Sequence, residues 1–283
     1  MTDLTTKYGS WVLVAGASAG LGAAFAESAA KRGLNLVLAA RRATVLEERA
    51  REFGARYGVR TRVVPVDLGD EDAADRLLVA TDDLDLGIVI YNAAAEPAGL
   101  FLDADREDLR TNLAVNCWTP TLLAQGLGRR FRDRRRGALA LVSSMAAQQG
   151  IARFAAYGAA KSYELILAES LWDEWREFGV DALAYIVGAT ASTGFRGAAP
   201  GAYRDNPDLS EGASRILVPA SPEDVAERLY DRFHLGPRQY SHDADEEKTR
   251  ADATKSRADV VTAMGLVTAG LARFHPGASR LSR

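Results

Sequence analysis

Tyr157 and Lys161 stand four residues apart in Tyr-Gly-Ala-Ala-Lys, and Ser144 precedes the tyrosine by 157 − 144 = 13 residues. A helix over 151–178 puts the phenol and the ammonium on one face, where both can point into one cleft. A free phenol ionises at about 10, too high for ready proton exchange near neutral pH. A fixed cation beside it stabilises the phenolate and lowers that value, and Lys161 can supply the cation. The Ser144 hydroxyl can hold a substrate oxygen beside the phenol, so that a proton passes between Tyr157 and that oxygen while hydride moves at the attached carbon. Together the three residue types can interconvert an alcohol and a carbonyl. Taken alone, Tyr-x-x-x-Lys also describes a half-buried tyrosine beside a solvated lysine, so the surrounding elements must carry the argument.

Ser144 follows the apolar run 138–142, which reads as a buried strand of a parallel sheet and delivers the hydroxyl to the carboxyl end of that strand, where open α/β sheets bind ligands. Near the amino terminus, Trp11-Val12-Leu13-Val14 reads as another buried strand. It is followed by Ala15-Gly16-Ala17-Ser18-Ala19-Gly20-Leu21-Gly22 and a helical stretch to about Arg32. Glycines in such a turn let the backbone approach a pyrophosphate, whose charge is favoured by the free N–H groups at the helix start. The spacing Gly16-x-x-x-Gly20-x-Gly22 differs from the Gly-x-Gly-x-x-Gly fingerprint. The second strand is read at 34–39 and later ones at 62–65, 87–90, 138–142 and 182–187, alternating with helical stretches. This predicts right-handed βαβ units, an α/β fold with a doubly wound, Rossmann-type parallel sheet and helices on both faces. With 283 residues, 47% hydrophobic and 26% charged, the chain can bury a large core, and one domain over 1–283 is the expectation.

These motifs, in this order, resemble the classical short-chain dehydrogenase/reductase family over about residues 9–233. The family's Thr-Gly-x-x-x-Gly-x-Gly matches residues 15–22 with Ala15 for threonine. Its adenine-contacting Asp-Leu matches Asp67-Leu68, and its Asn-Asn-Ala-Gly appears as Tyr91-Asn92-Ala93-Ala94. Its central-helix asparagine matches Asn116, rather than Asn112 one turn earlier, and its serine, tyrosine and lysine match Ser144, Tyr157 and Lys161. The resemblance implies that Tyr157 is the general acid in reduction and base in oxidation and that Ser144 orients the substrate oxygen. It makes Lys161 both the pKa-lowering cation and a ligand of the nicotinamide ribose, and Asn116 the holder of a water linking Lys161 to solvent. It also implies cofactor contacts at Gly16, Ser18, Gly20, Leu21, Gly22, Asn92, Ala93, Gly188 and Thr190. Ala15, Ala94 and Val187-Gly188, the last in place of Pro-Gly, depart from the pattern without removing a catalytic group.

Cofactor choice is read after the second strand, where the adenosine ribose lies. An acidic residue there would select NAD, but the chain has Ala40 and then Arg41-Arg42. A guanidinium matches a 2′-phosphate by charge and bidentate geometry. The expectation is NADP(H) with NAD(H) as the alternative, Arg41 as the preferred contact, Arg42 beside it and Ser18 assisting.

Substrate recognition is expected from the stretch 189–219, with Met145, Phe154, Phe195 and Tyr203 as candidate pocket residues. Arg238-Gln239-Tyr240-Ser241 reads as a seventh strand, and a helical extension over about 243–283 places Val260, Met264, Val267 and Leu271 on one face. That tail caps the pocket, contacts another subunit or lies on a membrane, the first two being favoured. Tyr8-Gly9-Ser10-Trp11 and the tail resemble the branch of hydroxysteroid and long-chain 3-oxoacyl reductases. Residues 129–137 are read as a basic helix end stopped by Gly137. The net charge of −3 makes no electrostatic case for nucleic acid. The single cysteine, Cys117, is read as buried and inert, and the three histidines lack metal-ligand spacing. Met1-Thr2-Asp3-Leu4 shows no signal peptide, so the expected setting is cytoplasmic with no integral membrane segment. The reaction expected is NADP(H)-dependent interconversion of a small-molecule carbonyl and alcohol by a homodimer or homotetramer. The rivals are a non-catalytic dinucleotide-sensing regulator and a nucleotide-sugar epimerase or dehydratase, for which the chain is short.

Overall fold

Apolar runs too short for helices become strands β1 Trp11–Ala15, β2 Asn35–Ala40, β3 Thr61–Pro65, β4 Leu86–Tyr91, β5 Gly137–Ser144, β6 Val180–Val187 and β7 Arg238–Tyr240. All pair in parallel, in the order β3-β2-β1-β4-β5-β6-β7. The helices are α1 Leu4–Lys7, α2 Gly20–Lys31, α3 Ala43–Tyr57, α4 Ala73–Ala80, α5 Arg106–Leu113, α6 Thr119–Arg134, α7 Ala155–Trp175, α8 Pro222–Tyr230, α9 Asp243–Asp252 and α10 Arg257–Leu271. The computed structural model describes residues 4–190 and 220–271, so Phe195 and Tyr203 lie outside the described residues, as do the side chains of Val267 and Leu271.

Every residue of β1 and β4 is buried, which is why their sequences are continuous apolar runs rather than alternating ones. The strand period of two then sorts side chains into two cores. Val12, Val14, Leu36, Leu38, Ile88 and Ile90 pack with Phe25, Leu46, Phe53 and Leu229 on one face. Leu13, Val37, Val89 and Leu139 pack with Leu77, Leu123, Leu127 and Leu165 on the other. Each such side chain contributes about 1.5–3 kcal/mol on burial. Strand order reverses between β1 and β4, which leaves a crevice beyond their carboxyl ends, where Ala15 is in register with Tyr91.

Three features of the helices differ from the sequence reading. Arg153 takes a left-handed backbone (φ 70), so the helix carrying Tyr157 begins at Ala155, and 176–178 close it as a 3-10 turn. At the end of α6, Arg135 (φ 53), not Gly137, is the left-handed residue, and Gly137 opens β5. The basic cluster there is ion-paired as well as solvated: Arg130 meets Asp82 at 3.1 Å, and Arg134 and Arg136 meet Asp85 at 3.3 and 2.8 Å. Between α5 and α6 the helix widens to a π turn over Ala114–Trp118. Pro120 has no N–H for the carbonyl of Asn116, its i−4 partner, and its ring crowds that carbonyl, a sufficient local cause for the widened turn.

Candidate active site

The nucleotide side of the crevice is built from backbone. Gly16 has φ 87, and a Cβ on it would come within 2.9 Å of the Ala93 backbone; a Cβ on Gly22 would come within 2.0 Å of the Gly16 carbonyl oxygen. The turn therefore closes on itself and on the end of β4 only with glycine at these places. Asn92 N–H donates to the Ala15 carbonyl at 3.0 Å, joining the two strand ends with a bond that needs no side chain at position 15. α2 starts after Ala19 with no side-chain cap, so its first N–H groups are left for an anion. Glycine clearance and the uncapped start fit a dinucleotide pyrophosphate.

At the end of β2, Arg42 donates to the Ser18 hydroxyl at 2.9 Å, whereas Arg41 lies 3.9 Å from an Asp67 carboxylate oxygen. Both guanidinium groups are exposed. It is therefore Arg42, rather than the preferred Arg41, that shares a site with Ser18. Asp67 accepts from Gly69 N–H at 2.9 Å, and Leu68 is buried behind it.

The other side of the crevice is built from side chains. Ser144 is the last residue of β5, and its hydroxyl accepts from Ala146 N–H at 3.1 Å and stands where it favours the ionised Tyr157 phenol. Lys161 lies one helical turn on, with its ammonium 5.9 Å from the Tyr157 ring centre. Its three protons have three acceptors: the Val142 carbonyl at 2.8 Å and the Glu164 carboxylate at 2.8 and 3.1 Å. The pair is almost wholly buried. Lys161 was expected to lower the Tyr157 pKa, but the phenol is pushed well above its ordinary value, first by burial and then by the Glu96 charge, with Ser144 acting the other way.

Asn116 sits in the π turn, fully buried. Its side chain clamps Ala95, donating to the carbonyl at 2.7 Å and accepting from the N–H at 3.0 Å; Asn112 donates to the same carbonyl at 2.8 Å. The two asparagines thus fix the segment after β4 against α5 and the π turn. Cys117, next along, is half-buried rather than buried, and burial pushes its thiol up to about 11.

The described part of the tail lies over this side. Gly188, beyond the end of β6, has Asp245 of α9 so close that a Cβ would meet a carboxylate oxygen at 2.4 Å. Thr249 reaches the half-buried Met145 sulfur at 4.0 Å, and Val261 lies over Gly150. Phe154, half-buried, immediately precedes α7. Thr190 is buried and bridged to Ala220. Among the described residues no cluster of His, Cys, Asp or Glu could hold a metal ion, and no helix is long and apolar enough to cross a membrane.

Comparison with known proteins decides the family. The family model described as short chain dehydrogenase matches residues 10–201. The chain belongs to the short-chain dehydrogenase/reductase family. It is 30% identical over 262 residues, 92% of this chain and 95% of the relative, to a 7beta-hydroxysteroid dehydrogenase of Clostridium sardiniense. It is 33% identical over 180 residues, 62% of this chain and 58% of the relative, to a very-long-chain 3-oxoacyl-CoA reductase-like protein of Arabidopsis thaliana. A solved structure from work on 7beta-hydroxysteroid dehydrogenase stereoselectivity superposes with a TM-score of 0.81 at 27% identity, covering 92% of this chain and 98% of that one. The resemblance to the hydroxysteroid and 3-oxoacyl reductase branch is thus shown, and this short-chain dehydrogenase/reductase is an NAD(P)-dependent oxidoreductase acting on CH–OH and C=O groups.

Sequence reading of this dehydrogenase/reductase missed Glu164. The signal was present, since a residue three after Lys161 shares its helix face, but a glutamate on a helix reads as solvated. It also missed the π turn, for which Pro120 was the visible cause.

Proposed function

We propose that this protein uses NADP(H) to interconvert a carbonyl and an alcohol, with Tyr157 as general acid in reduction and general base in oxidation. The observation that carries the reading is that Ser144, at the carboxyl end of β5, acts directly on the Tyr157 phenol of α7, with the Lys161 ammonium 5.9 Å from that ring. The cofactor, when bound, supplies or accepts the hydride. Gly16, Gly20, Leu21, Gly22 and the start of α2 hold its pyrophosphate; Asp67, Leu68, Asn92 and Ala93 flank its adenosine side; Gly188 and Thr190 flank its nicotinamide side. Ser18, Arg41 and Arg42 bind a 2′-phosphate by charge and shape, which supports NADP(H) over NAD(H).

Ser144 orients the substrate oxygen, and Tyr157 gives it the phenolic proton in reduction and takes it back in oxidation. Lys161 reaches the nicotinamide ribose by exchanging one of its present acceptors. Asn116 holds the segment after β4 that forms the crevice wall. α9 and α10 roof the cleft over Met145, Gly150 and Gly188, and the relatives named above are a hydroxysteroid dehydrogenase and a very-long-chain 3-oxoacyl-CoA reductase-like protein. Both points support a ketone or alcohol with a large apolar part as substrate.

We read the chain as one domain in the cytoplasm, where a lone cysteine stays reduced. Leu113, Trp118, Tyr163 and Ile166 are 58, 55, 41 and 56% exposed on the neighbouring helices α5 to α7 and the π turn. An apolar surface of this kind supports a homodimer or homotetramer. Light scattering should report a dimer or larger, and Ile166→Glu should shift it to monomer; a monomeric wild-type protein removes this proposal.

The decisive experiment follows NADPH absorbance with ketosteroids, bulky ketones and 3-oxoacyl thioesters, beside an NADH series and Tyr157→Phe. Turnover with NADPH that vanishes in the variant supports the reading. Tight NADPH binding with no turnover on any substrate favours the dinucleotide sensor instead.

A further inference from the structure

α9 carries a buried carboxylate that the reaction as described does not use. Asp245 is 8% exposed, and both its oxygens lie so close over Gly188 that a Cβ on that glycine would collide with them. Its main chain is engaged in the helix, the N–H on the His242 carbonyl and the carbonyl on the Thr249 hydroxyl. Among the described residues no hydrogen-bond donor and no cation meets its side chain. Burying a carboxylate without a partner is costly, and two structural reasons for doing so fall short. An acidic residue in the first turn complements the helix dipole, but α9 already has Asp243 and Glu246 there, neither of them buried, paired with Arg228 and Arg250. Gly188 needs no further anchor either: its N–H donates to the Ser241 hydroxyl at 3.3 Å and its carbonyl accepts from the Thr190 hydroxyl at 3.2 Å.

Its place in the cleft is a better reason. Asp245 and Thr249 stand one turn apart on the same face of α9. Thr249 reaches the sulfur of Met145, the residue after Ser144, at 4.0 Å. The carboxylate therefore belongs to the helix face that runs from Gly188 to Met145, along the cleft in which Ser144 orients the reacting oxygen. The charges of His242 and Lys248 act on it, but burial prevails and raises its pKa. That favours a neutral hydroxyl over a cation as its partner, because a carboxyl group can accept from a hydroxyl or donate to it.

We infer that Asp245 is a specificity-determining residue that hydrogen-bonds a substrate hydroxyl other than the reacting oxygen, so that the preferred substrate is a bulky ketone bearing a hydroxyl on a second carbon. This rests on the reading above, in which the cleft roofed by α9 takes a carbonyl compound with a large apolar part. Discrimination follows from the burial. A substrate with the hydroxyl satisfies the carboxylate, whereas its deoxy analogue leaves a buried polar group unpaired and is rejected for that reason. Ser144 and Tyr157 handle the reacting oxygen in either case.

The test uses matched pairs of ketosteroids and of other bulky ketones, the members of each pair differing by one hydroxyl. They are compared in wild type, Asp245→Leu and Asp245→Asn, with Tyr157→Phe alongside. Wild type is expected to prefer the hydroxylated member of at least one pair by about ten- to a hundred-fold in kcat/KM. In Asp245→Leu that ratio is expected to fall to about one, and Asp245→Asn, which keeps an oxygen acceptor without the charge, to retain part of it. The Kd of NADPH, read by fluorescence titration, is expected to hold in both variants. The Tm of each NADPH complex gives the same comparison without turnover: the hydroxylated ligand should raise it more than the deoxy one in wild type and equally in Asp245→Leu. Equal treatment of every pair by wild type, a ratio that survives in Asp245→Leu, or NADPH binding weakened in both variants overturns the inference, the last by placing the carboxylate on the cofactor. A Tm of the unliganded protein that falls in both variants while the ratio persists overturns it in favour of a structural role. An inactive Tyr157→Phe beside any of these results leaves the underlying reaction intact, and an active Tyr157→Phe overturns that reading instead.

Discussion

The two halves of the sheet, on either side of the crevice between β1 and β4, build their share of the site from different atoms. On the β1 side the working surface is main chain: the Gly16 turn, the Gly22 approach, the uncapped N–H groups of α2 and the Asn92 to Ala15 bond. On the β5 side it is side chain: Ser144 at a strand end and Tyr157, Lys161 and Glu164 on one face of α7. The difference shows why the departures from the family pattern fall where they do. Ala15, in the main-chain half, replaces a hydroxyl whose tie between strand ends is made here by backbone, while Val187, at the end of β6 in the other half, replaces a proline and leaves Ser144, Tyr157 and Lys161 in place. A main-chain site depends on shape and absorbs such changes, whereas a side-chain site depends on particular oxygen and nitrogen atoms.

The largest test of that contrast is Tyr157→Phe, which removes one oxygen from the side-chain half. A positioned acid or base contributes about a hundred- to ten-thousand-fold, so kcat for reduction should fall in that range. Dissociation of NADPH, measured by fluorescence titration, should stay near the wild-type value. A variant that loses cofactor binding and turnover together would show that the two halves are not separable in this way.

Next in size is the one place where the nucleotide half relies on side chains. Arg42 already donates to Ser18, and Arg41 stands beside it near Asp67. A hydrogen bond to a charged group is worth about 1.5–3 kcal/mol. Arg42→Ala and Arg41→Ala should therefore each raise KM for NADPH by about ten-fold or more and leave KM for NADH unaltered. Equal losses with both cofactors would mean that the arginines support the loop rather than read the 2′-phosphate.

How much of this was legible in the sequence follows the same division. Buried parallel strands read as apolar runs, so the sheet and its reversal at β1 and β4 were legible, as was a glycine turn whose function is clearance. Ser144, Tyr157 and Lys161 were legible as residue types at a spacing that a strand end and one helical turn bring together. Their partners were not, because partners are set by tertiary packing. Helical periodicity puts Glu164 near Lys161 but does not show that this face is covered by β4 and the π turn. Adjacent Arg41 and Arg42 cannot be told apart until the loop after β2 is placed. The closing of α6 at Arg135 was hidden because glycine at 137 is the commoner signal.

The smallest effect is expected inside the side-chain half itself, at Cys117. It neighbours Asn116 in the π turn, and its thiol feels both Glu164 and Lys161, so position alone would make it a candidate for chemistry. Its ionisation argues otherwise. Burial comes first and the Glu164 charge second, and together they push the thiol up to about 11. Raising a thiol pKa lowers its thiolate fraction at any pH below that value, and the thiolate is the reactive form. Relative to a free cysteine near 8.5, about two orders of magnitude less thiolate is present at neutral pH. Cys117→Ser should retain wild-type kcat, and iodoacetamide at neutral pH should leave activity intact, with alkylation of the native protein accelerating only as pH approaches about 11. Rapid inactivation at neutral pH would show a thiolate stabilised by Lys161. The ammonium would then be free of Glu164, and the buried pair would not hold in solution.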